Sequence, residues 1–306
     1  MMNKDNFINI KKILDNKEFF SKEKNVYVDK RTKDYSVNFG LQWNMFPLTQ
    51  FDSHTGLPLT KNRLLNSSEW SFNDLKNKII IELGSGAGRF TEILLETGCY
   101  VFSVEMSDAI YVNSLNNKSD KIVFIKSSLD NLEFLNNMFD YVLCYGVAQH
   151  TPNLLTTYKA CYSFGKKGGK ISVDHYAKTN YPTTKSIWRP ITKRISPKIL
   201  FKIVKFYVPY YFPIDTFIKT KLPSIVSKLI RCFLPIPCAN YTNSKNIPQD
   251  KKKLIEWAIM DTYDALGAKY DSPLSLNQLE KIGREIGLNS FKVRKSGPIL
   301  ILNGKK

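Results

Sequence analysis

The sequence lacks long apolar runs, paired cysteines and repeats. No apolar stretch reaches the roughly 20 residues that a helix needs to cross a bilayer, so a transmembrane protein is not expected. The five cysteines are odd in number and lack paired metal-ligand spacing, which excludes a disulfide scaffold and predicts no metal site. The absence of internal repeats and low-complexity tracts excludes solenoids and repeat arrays.

The N-terminal residues also lack the features of a secretory leader. The opening MMNKDNFINIKKIL has no apolar core and no small-residue cleavage site. Together with the cysteine pattern, this predicts a reduced, cytoplasmic protein. With 306 residues, 43% apolar and 24% charged, the chain is long enough for one large domain or for a domain with a substantial insertion.

Residues 79–180 alternate between short apolar runs and helical segments, a pattern typical of a doubly wound α/β domain with helices on both faces. Helices are predicted at Phe90–Leu95 and Asn153–Phe164, and GKKGGK at 165–170 is predicted to be a turn. A helix at Leu276–Ile286 and a hairpin around Gly297 close the chain. The predicted strands are Lys78–Leu83, Tyr100–Val104, Ile122–Lys126, Phe139–Tyr145 and Lys170–Asp174.

The strongest motif is a glycine-rich turn between a buried strand and a helix, ELGSGAGRF at residues 82–90. Glycines let the backbone approach a nucleotide closely and expose N–H groups at the start of the helix. A second acid, Glu105, ends the next strand, 21 residues after Gly84. An acid at that position can hold ribose hydroxyls, so the motif predicts a nucleotide site.

Two nucleotide ligands suit this arrangement, a nicotinamide dinucleotide and S-adenosylmethionine. The dinucleotide fingerprint is G-x-G-x-x-G with a pyrophosphate at the helix end. Here the spacing is G-x-G-x-G, and Glu82 precedes the first glycine by two residues. An acid there would repel a pyrophosphate but suit an ammonium group, so the spacing favours S-adenosylmethionine.

The glycine turn resembles motif I of class I S-adenosylmethionine-dependent methyltransferases, D/E-x-G-x-G-x-G. Residues 139–150, FDYVLCYGVAQH, resemble the fourth-strand motif of the same family, with Gln149 in place of the first of two histidines. The resemblance covers residues 78–177 and the C-terminal helix and hairpin. It implies a Rossmann-like sheet of seven strands, the last of them antiparallel.

The resemblance also implies which residues hold S-adenosylmethionine. Glu105 matches the family's ribose-binding acid, and the segment around Ser128 matches the adenine-binding position. The face of Trp43 suits a cationic sulfonium, although ordinary packing explains this residue equally well. The predicted cofactor-binding residues are Glu82, Gly84, Ser85, Gly86, Gly88, Arg89, Phe90, Glu105, Met106, Ser128, Leu129, Tyr145 and Trp43.

Two further segments are similar to a bacterial subgroup of these enzymes that is associated with surface-polysaccharide and modified-sugar biosynthesis. They are FGLQWNMF with TQFDS, within residues 39–53, and DTYDALGAKYDSP at residues 261–273. The resemblance implies an acceptor that is a sugar or a glycan precursor.

Methyl transfer to a hydroxyl requires a base, and the chain has three histidines. His150 follows the fourth predicted strand and His175 the fifth, both at the sheet edge where such folds bind ligands. Either histidine is a candidate base, and a purely structural role is open for both. The predicted substrate-binding residues are His54, Tyr176, Tyr263, Asp264 and Tyr270.

Positive charge is concentrated late in the chain. The net charge is +18, and residues 181–250 alone hold twelve Lys and Arg against two acids, with the basic residues at helical intervals among apolar ones. Four interpretations stay open: a lid that binds phosphates of a small anionic substrate, an interfacial helix on anionic lipid, an RNA-binding surface, and a contact in a homodimer.

Some methyltransferase classes are disfavoured. Enzymes of this fold that methylate exocyclic nitrogen carry N/D-P-P-Y/F after the fourth strand, where this chain has Tyr145-Gly146-Val147-Ala148. Cys144 follows a leucine, unlike the Pro-Cys nucleophile of carbon-5 RNA methylation. No nucleic-acid-binding motif accompanies the positive charge, so nucleic acid is not an expected partner.

The resulting prediction is an S-adenosylmethionine-dependent methyltransferase that acts at oxygen on a sugar, nucleotide-linked or phosphorylated acceptor. Alternative acceptors are a lipid-linked compound, a quinone or RNA. Alternatives of another class are a nicotinamide-dependent oxidoreductase and a non-catalytic cofactor-binding protein. The predicted division is an N-terminal cap (1–77), a cofactor-binding α/β core (78–180), a basic helical insertion after the fifth strand (181–250) and a substrate-side segment with the closing helix and hairpin (251–306).

Overall fold

A mixed sheet of nine strands organises the part of the chain that the computed structural model describes, residues 2–234, 238–244, 247–288 and 290–306. The order across the sheet is β1-β2-β5-β4-β3-β6-β7-β9-β8. The strands are β1 Phe20–Glu23, β2 Val26–Asp29, β3 Ile79–Leu83, β4 Tyr100–Glu105, β5 Ile122–Lys126, β6 Phe139–Cys144, β7 Gly165–Tyr176, β8 Ser290–Ser296 and β9 Ile299–Lys305.

Helices connect these strands and form a separate group late in the chain. Side-chain caps begin several of them; Asn153, for example, accepts a hydrogen bond from the backbone N–H of Thr156 at the start of α8. The helices are α1 Met2–Asp15, α2 Val37–Met45, α3 Asp52–Thr55, α4 Leu59–Ser68, α5 Phe72–Leu75, α6 Arg89–Glu96, α7 Ala109–Asn116, α8 Leu154–Phe164, α9 Thr184–Thr192, α10 Pro197–Lys221, α11 Ser224–Phe233, α12 Lys251–Gly267 and α13 Leu276–Glu285.

The centre of the sheet is parallel and buried on both faces. All five residues of β3 are buried, as expected for a continuous apolar strand that is covered by helices. Strand β3 pairs in parallel with β4 and with β6, and β9 runs antiparallel between β7 and β8. The prediction of an α/β fold with a mostly parallel sheet and an antiparallel last strand is confirmed.

The predicted count of seven strands is wrong because an N-terminal hairpin extends the sheet. Strands β1 and β2 pair antiparallel, and β2 adds in parallel to β5 through Val26 and Phe124. Each strand of the hairpin has four residues, too few for a periodic pattern to be recognised. Asp29, at the end of β2, fixes the hairpin by accepting hydrogen bonds from Ser127 Oγ at 2.9 Å and from Arg31 Nε at 2.9 Å.

The GKKGGK segment, predicted as a turn, lies within strand β7. The strand pairs Gly165 with Phe139 and, after an irregularity in register, Lys170 with Tyr141. Gly168 has a positive φ of 77°, and its N–H donates to the carbonyl of Lys306 at 2.8 Å. Residues 166–169 therefore form a bulge between the two paired positions, so the segment combines strand pairing at its ends with the bend that its glycines favour.

The described residues divide into two compact units. The first comprises residues 1–35, 60–178 and 270–306 and contains the sheet; the second comprises 36–59 and 179–269 and is helical. The second unit has its own apolar core, which includes Val208 on α10 and Met260 on α12. This division differs from the predicted one: residues 1–77 contribute to both units, and the basic residues 181–250, with α9, α10 and α11, belong to a larger helical unit. No helix in the described ranges is long and apolar enough to cross a membrane.

We predict that Asp29→Asn destabilises the protein by about 1–2 kcal/mol at pH 7, because hydrogen bonds to the charged carboxylate are lost. Burial raises the pKa of Asp29, but the hydrogen bonds from Arg31 and Ser127 outweigh this and lower it. The stabilisation is therefore present above the ordinary carboxyl pKa and is lost as the pH falls through the lowered one.

Urea unfolding of both proteins, at pH 7 and at the lowest pH at which they remain folded, measures the difference. Asp120→Asn, at an exposed loop position, is the control. If Asp29→Asn lowers the free energy of unfolding by the same amount at both pH values, the carboxylate charge is not what fixes the hairpin.

Candidate cofactor and active site

The glycine turn adopts a backbone that only glycines accept without strain. Gly84, Gly86 and Gly88 have positive φ values of 72°, 55° and 95°. A Cβ on Gly84 would overlap the side chain of Val147, and a Cβ on Gly88 would overlap Asn113. The turn therefore packs closely against the loop after β6 and against α7, which only glycine allows at these two positions.

Glu105 lies beside this turn at the end of β4, with its carboxylate held by three hydrogen bonds. Gly86 N–H donates to Oε2 at 3.0 Å, and the N–H and hydroxyl of Ser107 donate to Oε1 at 2.9 and 2.8 Å. Burial raises the pKa of Glu105, and these hydrogen bonds oppose the shift. Because a carboxylate offers about four lone pairs, Oε2 retains capacity to accept from a ligand hydroxyl.

Glu82 is buried at the end of β3 with one oxygen unsatisfied. Thr91 donates to Oε2, whereas Oε1 has no hydrogen-bond partner among the described residues. Burial raises the pKa of Glu82 to about 8, and the Glu105 carboxylate adds to the rise. An unpaired buried carboxyl oxygen is costly, so this atom is a natural acceptor for a cationic ligand group.

Two buried asparagine side chains at the end of α7 hold the turn in place through hydrogen bonds. Asn113 on α7 donates to Thr91 Oγ1 at 3.0 Å and to Ser103 Oγ at 2.9 Å. Asn117 donates to Asn113 Oδ1 at 2.8 Å and to the carbonyl of Gly88 at 3.0 Å. These residues were missed in the sequence, although a polar residue on a buried helix face is a signal that could have identified them.

Several other predicted cofactor residues also lie in the unit that contains the sheet. The hydroxyl of Ser85 is buried without a hydrogen-bond partner among the described residues, which favours a ligand contact. Phe90 and Tyr145 pack edge to face with ring centroids 5.4 Å apart, and the guanidinium of Arg89 lies 4.7 Å from the Phe90 ring. Phe90 and Tyr145 belong to an apolar core cluster, which indicates that they support the turn.

A cleft lies at the end of β5, where the sequence predicts adenine binding. Ser128 and Leu129 line it together with Tyr35, Asp130 and Asn153. Burial raises the pKa of the Tyr35 phenol, and the charges of Asp130 and Glu105 add to the shift. The predicted residue Met106, directly after Glu105, is half-buried.

Trp43 lies on α2 in the helical unit and packs against the apolar core of that unit. Packing within the helical unit is sufficient to explain the position of Trp43, without a contact to the cofactor. The role of Trp43 as a cap on the cofactor stays a prediction.

His150 lies in a short turn after β6 and is buried. Its Nδ1 is 3.0 Å from the carbonyl oxygen of Tyr270, and its ring packs edge to face on Tyr176. Because a carbonyl oxygen only accepts, Nδ1 carries the proton and the lone pair is on Nε2. A histidine oriented in this way has the tautomer that a general base needs.

His175 has the geometry of a structural residue. It is fully buried in β7, with Nε2 2.7 Å from the carbonyl of Ser272 and Nδ1 3.1 Å from the hydroxyl of Tyr158. Nε2 therefore donates to the carbonyl and Nδ1 accepts from Tyr158, so both ring nitrogens are engaged. Burial also lowers the pKa of His175. These contacts favour a structural role for His175, and its role as a catalytic base stays a prediction.

The predicted substrate residues fall in different units. Tyr176 and Tyr270 lie beside His150, and Tyr270 also packs on Tyr35 with ring centroids 5.5 Å apart. Tyr263 is fully buried in the helical core and donates to the carbonyl of Pro197, which favours a structural role, and its contact with substrate stays a prediction. Asp264 also lies on α12, and His54 is exposed on α3; both belong to the helical unit.

Gln149 and Asp174 are two further polar residues near His150 that sequence reasoning did not propose for the site. The fully buried amide of Gln149 has no hydrogen-bond partner at either atom among the described residues. Buried Asp174 accepts from Arg63 at 2.5 Å and from the N–H of Gly146 at 2.5 Å, and so fixes the loop after β6. A buried acid needs a hydrogen-bonding or charged partner. An acid within a predicted apolar strand is therefore a sequence feature that could have indicated Asp174.

Comparison with known proteins identifies the region that carries this geometry. Residues 81–173 match the family model described as a methyltransferase domain. The match includes Glu82, the glycine turn, Glu105 and His150. In the part of the chain that the structure describes, no cluster of three or more His, Cys, Asp or Glu side chains could hold a metal ion.

The curated relatives match about a third of the chain. A ubiquinone biosynthesis O-methyltransferase of Coxiella burnetii is 28% identical over 100 residues, which is 32% of this chain and 43% of the relative. A sterol 24-C-methyltransferase of Saccharomyces cerevisiae is 29% identical over 111 residues, which is 34% of this chain and 29% of the relative. The chain thus spans less than half the length of these relatives.

Among solved structures, an S-adenosylmethionine-dependent methyltransferase from Mesorhizobium loti aligns with a TM-score of 0.47 and 11% identity, over 81% of this chain and 98% of that one. The family match and the residues around the glycine turn agree in the region 81–173. Residues 81–173 of the chain are therefore similar to a methyltransferase domain, and this segment holds five strands of the α/β sheet, β3 to β7, in whole or in part.

We predict that the stability of Glu82→Gln relative to the wild type increases with pH. A carboxyl with a raised pKa stabilises the fold fully below the ordinary value of 4.5, and this contribution is lost as the pH rises through about 8. Glutamine does not ionise, so the variant should gain on the order of 1 kcal/mol per pH unit over the wild type between pH 5 and 8.

Urea unfolding without cofactor at four pH values measures this slope. Glu285→Gln, at an exposed position near the end of α13, controls for the substitution itself. A difference between Glu82→Gln and the wild type that is constant from pH 5 to 8 would mean that Glu82 is already ionised in the free protein.

Proposed function

We propose that the chain is a methyltransferase that transfers the methyl group of S-adenosylmethionine to a hydroxyl of a sugar, nucleotide-linked or phosphorylated acceptor. The observation that carries the proposal is the pair of buried carboxyls, Glu82 and Glu105, on either side of a glycine turn in the segment that matches a methyltransferase domain. One offers an unpaired oxygen and the other a remaining lone pair.

The residues present suit S-adenosylmethionine. When bound, this cofactor supplies an electrophilic methyl group on a sulfonium. Glu82 Oε1 would pair with the ammonium of its methionine part, which removes the cost of an unsatisfied buried oxygen. Glu105 would accept from a ribose hydroxyl, and Ser128 with Leu129 would face the adenine.

His150 is the proposed base. His150 Nε2 would accept the proton of the acceptor hydroxyl, while the bound cofactor would supply the methyl group that the acceptor oxygen takes up in an in-line displacement. The hydrogen bond from Nδ1 to Tyr270 orients the ring and stabilises the imidazolium that forms. The unpaired amide of Gln149 is a candidate to hold the acceptor, because it can both donate and accept.

The class of acceptor rests on two separate observations. The net charge of +10 in residues 181–250 favours a phosphorylated or nucleotide-linked sugar. The second candidate is a quinone or other lipid acceptor. It is favoured by the relatives, which are named for ubiquinone biosynthesis and for sterol methylation.

We predict that S-adenosylhomocysteine binds to the purified protein and that Glu105→Gln weakens binding by about 10- to 100-fold, because charge-assisted hydrogen bonds to the carboxylate are lost. Isothermal titration calorimetry measures both, with NADH as the competing ligand and Glu285→Gln as the matched control variant. Binding of NADH in place of S-adenosylhomocysteine would overturn the proposal.

We predict that His150→Asn lowers kcat for methyl transfer by about 10²- to 10⁴-fold while the affinity for S-adenosylhomocysteine is unchanged. Asparagine can still donate to the Tyr270 carbonyl but cannot accept the proton. Transfer of a labelled methyl group to a panel of nucleotide sugars, phosphosugars and quinols identifies the acceptor and provides the assay. Full activity of His150→Asn, or activity that depends instead on His175, would contradict the assignment.

A further inference from the structure

Helix α10 exposes a continuous line of large apolar side chains. Six of them, spaced three or four residues apart, are between 45% and 70% exposed. Residues with this spacing lie above one another along one side of a helix, so they form a stripe about 27 Å long. The side chains of this exposed stripe are Ile199, Ile203, Phe206, Tyr210, Ile214 and Phe217.

The exposed stripe is not the face that packs inside the protein. The core-facing side chains of α10, which include Phe201, Val204 and Val208, are buried in the helical unit. Helix α10 therefore has two apolar sides, of which only one is needed for folding. Such an arrangement is unusual for a helix at a solvated surface, where the outward side is normally polar.

Helix α11 repeats the pattern. Ile225, Leu229 and Phe233 are spaced four residues apart and are 75%, 58% and 68% exposed. Two neighbouring helices of one unit therefore leave apolar lines uncovered. Because unpartnered apolar area on this scale is costly in water, it indicates a surface that binds something apolar.

Lysines run parallel to the exposed stripe of α10. Lys198, Lys202 and Lys205 are exposed, and each directly precedes a stripe residue. One residue corresponds to about 100° around the helix axis, so the three ammonium groups form a second line on the same flank of the stripe. None of the three forms a salt bridge within the described ranges.

Acidic side chains are nearly absent from this part of the chain. Residues 181–234 contain eleven Lys and Arg and one acid, Asp215. Asp215 is fully buried, accepts from Arg231 Nε at 2.6 Å and from Asn240 Nδ2 at 2.6 Å, and so contributes no exposed negative charge. The exposed charged side chains of residues 181–234 are therefore all positive.

An anionic lipid surface matches both properties. An interfacial helix places its apolar side at the boundary of headgroups and acyl chains and its lysines among the phosphates. A second copy of this chain would bring the same basic flank, and its repulsion opposes pairing of the two stripes. Nucleic acid would use the lysines but leave the isoleucines and leucines of the stripes exposed.

We propose that the exposed apolar lines of α10 and α11, with the flanking lysines of α10, bind the surface of a bilayer that contains anionic phospholipid. The helices lie on the membrane and do not cross it. The inference concerns binding alone and does not depend on which acceptor is methylated.

Sedimentation of the full chain with vesicles tests the proposal. We expect binding to vesicles of phosphatidylcholine and phosphatidylglycerol in equal amounts at 0.1 M salt, and binding at least tenfold weaker to phosphatidylcholine alone or in 0.5 M salt. Phe206→Ser with Phe217→Ser should abolish measurable binding. Lys198→Gln, Lys202→Gln and Lys205→Gln together should weaken it by about two orders of magnitude, since each lysine near an anionic surface contributes roughly fivefold.

Matched variants separate the surface from general effects of charge and hydrophobicity. Leu115→Ser removes a side chain that is 69% exposed in the other unit, and Lys4→Gln, Lys11→Gln and Lys12→Gln remove the same charge from α1. Both controls should bind vesicles like the wild type. Because the substituted side chains are exposed, melting temperatures should stay within a few degrees of the wild type, and S-adenosylhomocysteine binding should be retained.

Three results would overturn the proposal. They are the absence of binding to anionic vesicles by a folded wild type, equal loss of binding in the α1 lysine variant, and a dimer in analytical ultracentrifugation that Phe206→Ser with Phe217→Ser dissociates. The last result would assign the stripe to a second copy of the chain.

Discussion

The buried carboxyl of Glu82 is the constraint on which the candidate cofactor site depends. A carboxyl group at the end of a fully buried strand loses hydration, and within the described residues only one of its oxygens regains a hydrogen bond. The fold accepts this cost beside a turn whose glycines cannot be replaced without overlap with Val147 or Asn113. The ammonium group of the proposed cofactor would remove this cost by pairing with the free oxygen.

The surrounding residues make that site rigid before any ligand arrives. The amides of Asn113 and Asn117 connect α7 to the glycine turn, and Ser107 fixes the Glu105 carboxylate from the loop after β4. Rigid placement of this kind reduces the entropy lost on binding and holds reacting groups in position. On the other side of β3, Asp174 and the loop after β6 place His150 at the same edge of the sheet.

The helical unit combines an apolar core with a basic, partly apolar exterior. Its core is apolar and independent of the sheet, and its only acid between residues 181 and 234 is used internally by Arg231 and Asn240. The remaining positive charge and the uncovered apolar side chains of α10 and α11 both face outward. The chain thus combines hydrogen-bonded residues around the candidate cofactor site with a basic, apolar surface whose composition suits an anionic lipid surface.

The sequence alone determined the α/β class, the glycine turn and the two acids at the ends of β3 and β4, because these depend on local patterns: a buried apolar run, a glycine spacing and a strand end. It did not determine the nine-stranded sheet, the strand character of GKKGGK, the burial of Tyr263 or the engagement of both nitrogens of His175. Each of these depends on partners distant in the chain, such as Phe124 for β2 and Ser272 for His175. Pairing of distant segments decides which polar atoms are satisfied, and for that reason only the tertiary structure showed that both ring nitrogens of His175 are engaged.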